Sequence, residues 1–491
     1  MEQQPILAAV DLGSNSFRLQ VARVEGEQLY MLDGLREPVR LAVGLTADNY
    51  LDEAAQQRAL ATLGRFAERL RNLPPEAVRV VGTNSLRVAK NAAQFIAQAE
   101  QVLGFPIEVI AGREEARLIY LGVAHGLPQS DERLLVMDIG GGSTEFIIGH
   151  GLNPLKLESL YMGCVSYSSR YFPDGKITRQ SMEQAELAAR NELQSIVADY
   201  KGMWQRAIGS SGTAKAITEI LELNGYSKSG ITRVGLDLLR AQMLKAGDVQ
   251  KLGLLGLRPD RLPALAGGFA IMYAAFEELE ITQMQMGLSA LREGVLYDMW
   301  GRFHNNDMRD VTVQHFMRRY CIDVKHVARV ARLADTLARQ FFGQNVNESA
   351  LQVLGWVACL HPVGIRVAHS GYHKHTAYIL ANADMPGFSK KEQSRLSMLA
   401  LAHRGNLKKL QGLLTDSVDC LLAMSLRLAT LFYRNRSDVV LPEMTGSFTG
   451  TKYYLAMEPD WLSLNPLTEA ALQEEVRQWK TLGVTMQIIN R

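Results

Sequence analysis

The sequence predicts an α/β N-terminal half built from two similar lobes, then a mainly α-helical region and a small α+β C-terminal segment. Three observations carry this. Short buried-strand runs alternate with helical ones over the first 300 residues. A strand–Asp-x-Gly–turn segment occurs twice there. From about Phe303 the apolar spacing becomes helical almost throughout. The boundaries implied are 1–120 and 121–302 for the two lobes, 303–438 for the helical domain and 439–491 for the last segment.

Leu7–Val10, Val78–Gly82, Ile107–Ile110, Leu134–Ile139 and Phe146–Ile148 read as buried strands, while Leu51–Leu73 and Asn91–Leu103 have apolar residues at helical spacing. Val327–Phe342, Leu351–Leu360 and Lys391–Leu401 are the clearest helices of the second half. Ser447–Met457 reads as a short β segment and Leu467–Trp479 as a helix.

At 491 residues, 47% hydrophobic and 21% charged, the chain has the make-up of a globular protein, not a disordered or disulfide-framed one. Its four cysteines form no C-x-x-C pair and suit a reducing compartment. The start, Met-Glu-Gln-Gln-Pro, lacks a basic leader, and the apolar run Leu262–Phe276 is too short to span a bilayer. A cytoplasmic protein is expected, with peripheral membrane association left open. Residues 301–410 hold 16 Lys plus Arg against 7 Asp plus Glu, a surplus of +9 that leaves −7 for the rest of a chain whose total is +2. That asymmetry suits a polyanionic ligand as well as it suits solvated helix faces.

The repeat aligns Ala8–Phe17 with Leu135–Thr144. Each copy is a hydrophobic strand, Asp-x-Gly, a small-residue turn ending in Ser, then a second extended run. Backbone N–H groups in such a turn form an anion nest, and glycine lets the chain approach the ligand. An Asp at the strand end meets phosphate best through a divalent cation, which Asp11 and Asp138 suit. Gly140-Gly141-Gly142 is not a dinucleotide fingerprint, because no helix follows directly, and no Gly-Lys-[Ser/Thr] signals a Walker loop. A third loop, Gly209–Thr213, precedes a helix expected over Ala214–Leu223, whose N-terminus adds partial positive charge.

Seven motifs now stand in order: Asp11-Leu-Gly-Ser-Asn-Ser16, Thr83-Asn-Ser-Leu-Arg87, Gly112-Arg-Glu-Glu-Ala-Arg-Leu118, Asp138-Ile-Gly-Gly-Gly-Ser-Thr-Glu145, Met162-Gly-Cys-Val165, Gly209–Thr213 and Leu291-Arg-Glu-Gly294. Together they resemble the exopolyphosphatase/guanosine pentaphosphate phosphatase family, of the actin-like (ASKHA) superfamily. His369-Ser-Gly371, His375–Leu380 and Pro386-Gly-Phe388 extend the resemblance over the whole chain and favour its exopolyphosphatase branch. The resemblance implies Mg²⁺-assisted attack of water on a terminal phosphoanhydride, processively on inorganic polyphosphate; the alternative is the 5′-γ-phosphate of guanosine pentaphosphate (pppGpp). A monovalent cation such as K⁺ and a homodimer are further family traits, with no nucleic-acid partner.

Carried over residue by residue, Glu115 becomes the base or orienter of the water and Arg87 a phosphate clamp. Neighbouring helical side chains diverge by ~100°, so only one of Glu114 and Glu115 should face a cleft. Asp138, Glu145 and Asp11 become the metal ligands. Gly13, Ser14, Asn15 and Ser16 form one phosphate cradle, Gly140, Gly141, Gly142, Ser143 and Thr144 the other, and Ser211, Gly212 and Thr213 the third loop. Arg366, His369, His373, Lys374, His375, Lys408 and Lys409 become candidates for a polyphosphate channel. Leu288 and Ser289 depart from the family pattern. The helical domain resembles HD-type phosphohydrolases, yet His361 is followed by Pro362 in place of a ligating Asp, so no metal centre is expected there. Cys164-x₅-Arg170 has the spacing of a thiol phosphatase without a glycine to wrap phosphate; Cys164 reads as a small buried hydrophobe. Two other classes remain, an actin-like ATPase or sugar kinase and a non-enzymatic polyphosphate sensor.

Overall fold

The computed structural model describes residues 5–26, 28–128, 130–303, 307–450 and 452–490. Met1–Gln4, part of the leader reading, lie outside the described residues. The chain divides into two compact units at Asp307/Met308.

The first unit holds two sheets. The first contains β1 (Ile6–Leu12), β2 (Phe17–Glu25), β3 (Gln28–Glu37), β4 (Val78–Gly82) and β5 (Ile107–Val109), in the order β3-β2-β1-β4-β5. The second contains β6 (Arg133–Ile139), β7 (Thr144–His150), β8 (Asn153–Leu160), β9 (Arg206–Ser210), β10 (Ile231–Thr232) and β11 (Gln283–Met286), in the order β10-β11-β9-β6-β7-β8. Apart from the edge strand β10 the two are the same design. Three strands run as an antiparallel meander, and the first of them pairs in parallel with a fourth and, through it, a fifth. The repeated segments are the β1–β2 and β6–β7 hairpins, closed by the pairs Leu12–Phe17 and Ile139–Thr144.

Two helices tie the sheets together. Gly112–His125 and Leu291–Phe303 pack so closely that a Cβ on Gly294 would lie 1.7 Å from the Leu118 carbonyl oxygen, and one on Gly122 2.1 Å from that of Ala290. Their apolar faces share a core with Leu7, Ala9 and Val81 of the first sheet and Val136, Ile147 and Ile208 of the second. The lobe boundary expected at 120/121 falls inside the first of these helices. The apolar run begun at Leu262 is a buried helix, Leu262–Glu278, packed on Cys164–Tyr171 and Arg179–Tyr200. No helix among the described residues is long and apolar enough to cross a membrane.

The second unit places helices Met308–Arg319, Val324–Phe342, Glu348–Leu360, Tyr372–Asn382, Lys390–Ala402 and Ser417–Phe432 around one core. Its small sheet runs β12 (Met444–Thr449), β13 (Lys452–Met457), β14 (Thr485–Asn490), antiparallel and then parallel. Two helices, Pro459–Leu464 and Pro466–Lys480, connect β13 to β14. Tyr453, Leu455, Leu472 and Trp479 are buried in the same core as the six helices. The single β segment expected over 447–457 is a hairpin of two strands, and the helix expected to begin at Ala214 begins at Ser211.

Candidate active site

The two hairpin turns meet. A Cβ on Gly141 would lie 2.9 Å from the Ser14 Cβ, and one on Gly142 2.3 Å from the Asn84 Oδ1, so the second turn must be glycine-rich to nest against the first. Each turn closes identically: a Cβ on Gly13 or Gly140 would crowd the carbonyl of Ser16 or Ser143, at 2.9 and 3.1 Å. The Ser85 hydroxyl donates to the Ser14 Oγ at 2.8 Å, fixing the first turn. Between them lies a cavity of about 110 Å³, room for phosphate groups but not for a whole nucleotide.

Thirteen of the residues singled out from sequence line it: Asp11, Gly13, Ser14, Asn15, Ser16, Glu115, Asp138, Gly140, Gly141, Ser143, Ser211, Gly212 and Thr213. Glu115 and Ile119, one helical turn apart, both face the cavity. Glu114 points elsewhere, into a bidentate pair with Arg117. The helix pair therefore divides its two carboxylates as the 100° rule requires.

Four site residues are not brought to the wall. Gly142 backs onto Asn84. The Thr144 hydroxyl donates to the Met162 carbonyl at 2.5 Å. Arg87, expected to clamp phosphate, instead donates through Nη1 to the Glu115 Oε2 at 2.6 Å and to the Ile110 carbonyl at 3.1 Å. Glu145 is buried behind the wall, opposite Asp138 in the β6–β7 register, and accepts from the Ser159 hydroxyl at 2.8 Å.

Electrostatically the cavity has two unlike sides. Burial pushes the Asp11 carboxyl up to about 7 against the pull of Arg18 and Arg292. Burial likewise raises Asp138 to about 6, opposed by the neighbouring Ser210 and Ser211 hydroxyls and assisted by Glu115. Glu145 is raised well above its ordinary value by burial and then by Glu115 and Asp138. At all three the effect of burial outweighs that of the nearby arginines. Among the described residues no three His, Cys, Asp or Glu side chains converge to chelate a metal unaided. The donor set still fits Mg²⁺, which keeps several waters and is held by one or two carboxylates together with substrate phosphate.

The other side is cationic, and sequence reasoning missed it. Arg18, Arg261 and Arg292 line the cavity. Burial lowers the last two from the ordinary guanidinium value, with neighbouring arginines adding to the effect. The Nε of Arg261 is buried with no hydrogen-bond partner. A Cβ on Gly212 would lie 2.1 Å from the Arg261 Nη2, so that glycine exists to admit the guanidinium. Arg18 and Arg292 sat inside or beside quoted motifs, but Arg261 carried no local signal. Ser211 holds a left-handed backbone (φ +69°) unusual for a non-glycine, and its hydroxyl, like that of Thr213, donates to the Ile139 carbonyl. Cys164 also lines the cavity, yet burial raises its thiol, which disfavours a nucleophilic thiolate.

The geometry thus sets buried carboxylates and three arginines around one phosphate-sized space, and comparisons with known proteins agree with it. Residues 20–303 match the model of the Ppx/GppA phosphatase family, and residues 308–476 that of Ppx/GppA phosphatase domain III. The chain belongs to the Ppx/GppA phosphatase family. It is accordingly a hydrolase of phosphoanhydride bonds. A guanosine-5′-triphosphate,3′-diphosphate pyrophosphatase of Pseudoalteromonas translucida (strain TAC 125) is 40% identical over 98% of both chains. Among solved structures, an exopolyphosphatase from Cytophaga hutchinsonii ATCC 33406 matches at 25% identity and TM-score 0.54, over 60% of this chain and 97% of that one. The Aquifex aeolicus Ppx-GppA enzyme matches at 25% and 0.51, over 60% and 99%. The fold is the actin-like one expected.

In the second unit the seven channel candidates are dispersed in role. Arg366 donates to the carbonyls of Tyr320 and Cys321 at 2.9 and 3.1 Å. His373, Lys374 and His375 lie in the helix begun at Tyr372, Lys408 and Lys409 are exposed on one 3₁₀ turn, and His369 borders a separate cavity.

Proposed function

We propose that this Ppx/GppA member removes the 5′-γ-phosphate of guanosine pentaphosphate, forming the tetraphosphate, by attack of water. The observation that carries the choice of substrate is the 40% identity, end to end, with a protein named for that reaction. This reverses the order of the two substrates expected from sequence. Inorganic polyphosphate stays as the second reading, supported by the +9 surplus of residues 301–410.

In this reading the terminal phosphate enters between the turns, where the amides of residues 13–16, Gly141 and Ser143 and the guanidinium groups of Arg18, Arg261 and Arg292 take its oxygens. Mg²⁺, held by Asp11 and Asp138 with Glu145 behind them, would neutralise charge on the phosphate chain. Glu115 orients the water and accepts its proton. Arg87, bonded to Glu115 at 2.6 Å, keeps that carboxylate aimed. Positioning and charge neutralisation suffice for a loose phosphoryl transition state, so no covalent intermediate is required. Cytoplasmic residence and a homodimer belong to the same proposal; the four cysteines are all free.

The test is phosphate release, with Mg²⁺, from guanosine pentaphosphate and long-chain polyphosphate side by side. We expect the nucleotide to be hydrolysed with the higher kcat/KM, and Glu115→Gln to lower kcat by roughly 10²–10⁴, the usual span for a general base. Faster release from polyphosphate would promote the second reading, and an active Glu115→Gln enzyme would refute the assigned base.

A further inference from the structure

The second unit holds a cavity of about 450 Å³ with no assigned role. It lies wholly within residues 308–491 and is independent of the substrate proposed above. Three buried imidazoles line it: His326 on the first turn of Val324–Phe342, and His361 and His403, the residues capping the C-terminal ends of Glu348–Leu360 and Lys390–Ala402. The His361 and His403 rings stand 5.1 Å apart, and His326 lies 5.8 Å from His361.

Their hydrogen bonds define what they offer. A carbonyl can only accept, so His361 Nδ1 donates to Ala358 (2.8 Å) and His403 Nδ1 to Ala400 (2.5 Å). Burial holds both rings neutral, His361 pushed down to about 3. Each Nε2 is therefore a lone-pair acceptor. His403 accepts from the Tyr372 hydroxyl at 3.2 Å, whereas His326 has a buried Nδ1 with no partner at all. Such an unsatisfied buried group points to a ligand.

The rim has the opposite character. Arg404, Arg434 and Arg436 border the cavity and are exposed, and Arg404 lies over the Tyr372 ring at 5.3 Å. Of the two carboxylates that also border the cavity, Glu475 neutralises Arg427 in a bidentate pair and Glu474 accepts from Arg477 at 3.1 Å.

Neither a bare anion nor a metal suits this arrangement. An anion on the floor would face imidazole lone pairs. A cation would face the arginines, and no three ligating side chains converge among the described residues. A molecule with ring N–H donors at one end and phosphate at the other satisfies both halves, and 450 Å³ falls within the ~300–1,000 Å³ of small-molecule sites. We propose that this cavity is a second, non-catalytic site for a nucleoside phosphate, its base on the imidazole floor and its phosphates on Arg404, Arg434 and Arg436.

The test uses the full chain carrying ¹³C-labelled histidine, without Mg²⁺ and with EDTA, titrated with GDP and, separately, with inorganic pyrophosphate. Single His→Gln variants assign the resonances. GDP should shift His326, His361 and His403 saturably. The rim variant Arg434→Glu/Arg436→Asn (asparagine because residue 436 has φ +60°) should weaken that binding at least tenfold while phosphate release at the cleft is unchanged. Three results would overturn the proposal: no shift at these histidines, equal GDP affinity in the rim variant, or pyrophosphate acting on them as strongly as GDP.

Discussion

Asp298 offers the sharpest single test of how the cleft is held. Its carboxylate sits on the helix Leu291–Phe303 and takes the Arg117 Nη2 at 2.5 Å, the Arg79 Nη1 at 2.6 Å and the Arg302 Nε at 3.2 Å. Arg117 also grips Glu114, the sequence neighbour of the proposed base, and Arg79 grips Glu108 at 3.0 Å. One buried carboxylate thus joins β4, the helix carrying Glu115 and the helix whose first turn presents Arg292. Asp298→Ala removes a charge on which two almost wholly buried guanidinium groups depend. Breaking a buried pair by deleting one partner costs roughly 3–5 kcal/mol. At about 2–4 °C per kcal/mol, a scale for domains slightly smaller than this unit, the melting temperature should fall by roughly 6–20 °C. The arginines hold the carboxyl far below its ordinary value against the effect of burial, so this stability is intact above the unfolded Asp value near ~4 and lost as pH falls below it. Calorimetry at pH 7 is the assay, with phosphate release from Glu114→Gln as the control, since that variant keeps a hydrogen bond to Arg117. A loss under about 2 °C for Asp298→Ala would refute the network's structural weight. A Glu114→Gln enzyme as inactive as Glu115→Gln would refute the division of labour between the two carboxylates.

Four other outcomes follow from the same geometry. Gly294→Ala drives a Cβ to 1.7 Å from the Leu118 carbonyl oxygen, backbone that cannot yield; urea unfolding should show a loss of 3 kcal/mol or more, at or beyond the top of the ~1–3 kcal/mol usual for overpacking. Gly355→Ala, in a helix interior with nothing within 4 Å of the new methyl, should instead stabilise the second unit by roughly 0.5–1 kcal/mol. Gly212→Ala meets only the end of the Arg261 side chain, so it should leave the melting temperature nearly unchanged yet lower kcat/KM at least tenfold by displacing that guanidinium; an unaffected kcat/KM would remove Arg261 from phosphate binding. Because folding lowers the proton affinity of His361 and His403, their stability is complete above the unfolded value near ~6.5 and is lost on acidification toward the folded one, at up to about 1.4 kcal/mol per histidine per pH unit. Denaturant curves from pH 7.5 to 5 should show this slope, and His361→Gln should flatten it.

The parts of the site legible in the sequence are those written in contiguous residues. A turn is a local object, so Asp11–Ser16, Asp138–Ser143 and Ser211–Thr213 declare their chemistry, and helical geometry alone separates Glu114 from Glu115. The cationic wall was not legible, because Arg18, Arg261 and Arg292 come from a strand, a helix cap and a helix start that only tertiary packing brings together. Arg87 illustrates a different limit: its position was evident, but whether it meets phosphate or Glu115 depends on which carboxylate the fold places beside it. Strand β3, left unassigned, lies at a sheet edge, and eight of its ten residues are polar or lie at the surface, so it lacks the period-2 signal of a half-buried strand. The histidine cavity was hidden for a similar reason. His326, His361 and His403 are far apart in sequence, and each alone reads as an ordinary core histidine.

What the duplication itself contributes lies in one register position. Asp11 is paired across its hairpin with Arg18, and Asp138 across the equivalent hairpin with Glu145. The two copies therefore place the same carboxylate at the strand end and opposite charges beside it. In the first copy the arginine faces the cavity as a ready partner for phosphate. In the second the glutamate lies behind Asp138 and raises the local demand for a cation. A symmetric pair of turns would bind phosphate from both sides equally, which favours the bound state without directing attack. Divergence at this position adds Arg18 to the arginines Arg261 and Arg292 that line the cleft and sets a second carboxylate behind Asp138. That polarity is what a phosphoanhydride needs, since charge must be neutralised on one side of the reacting phosphorus while a water is held and deprotonated at another.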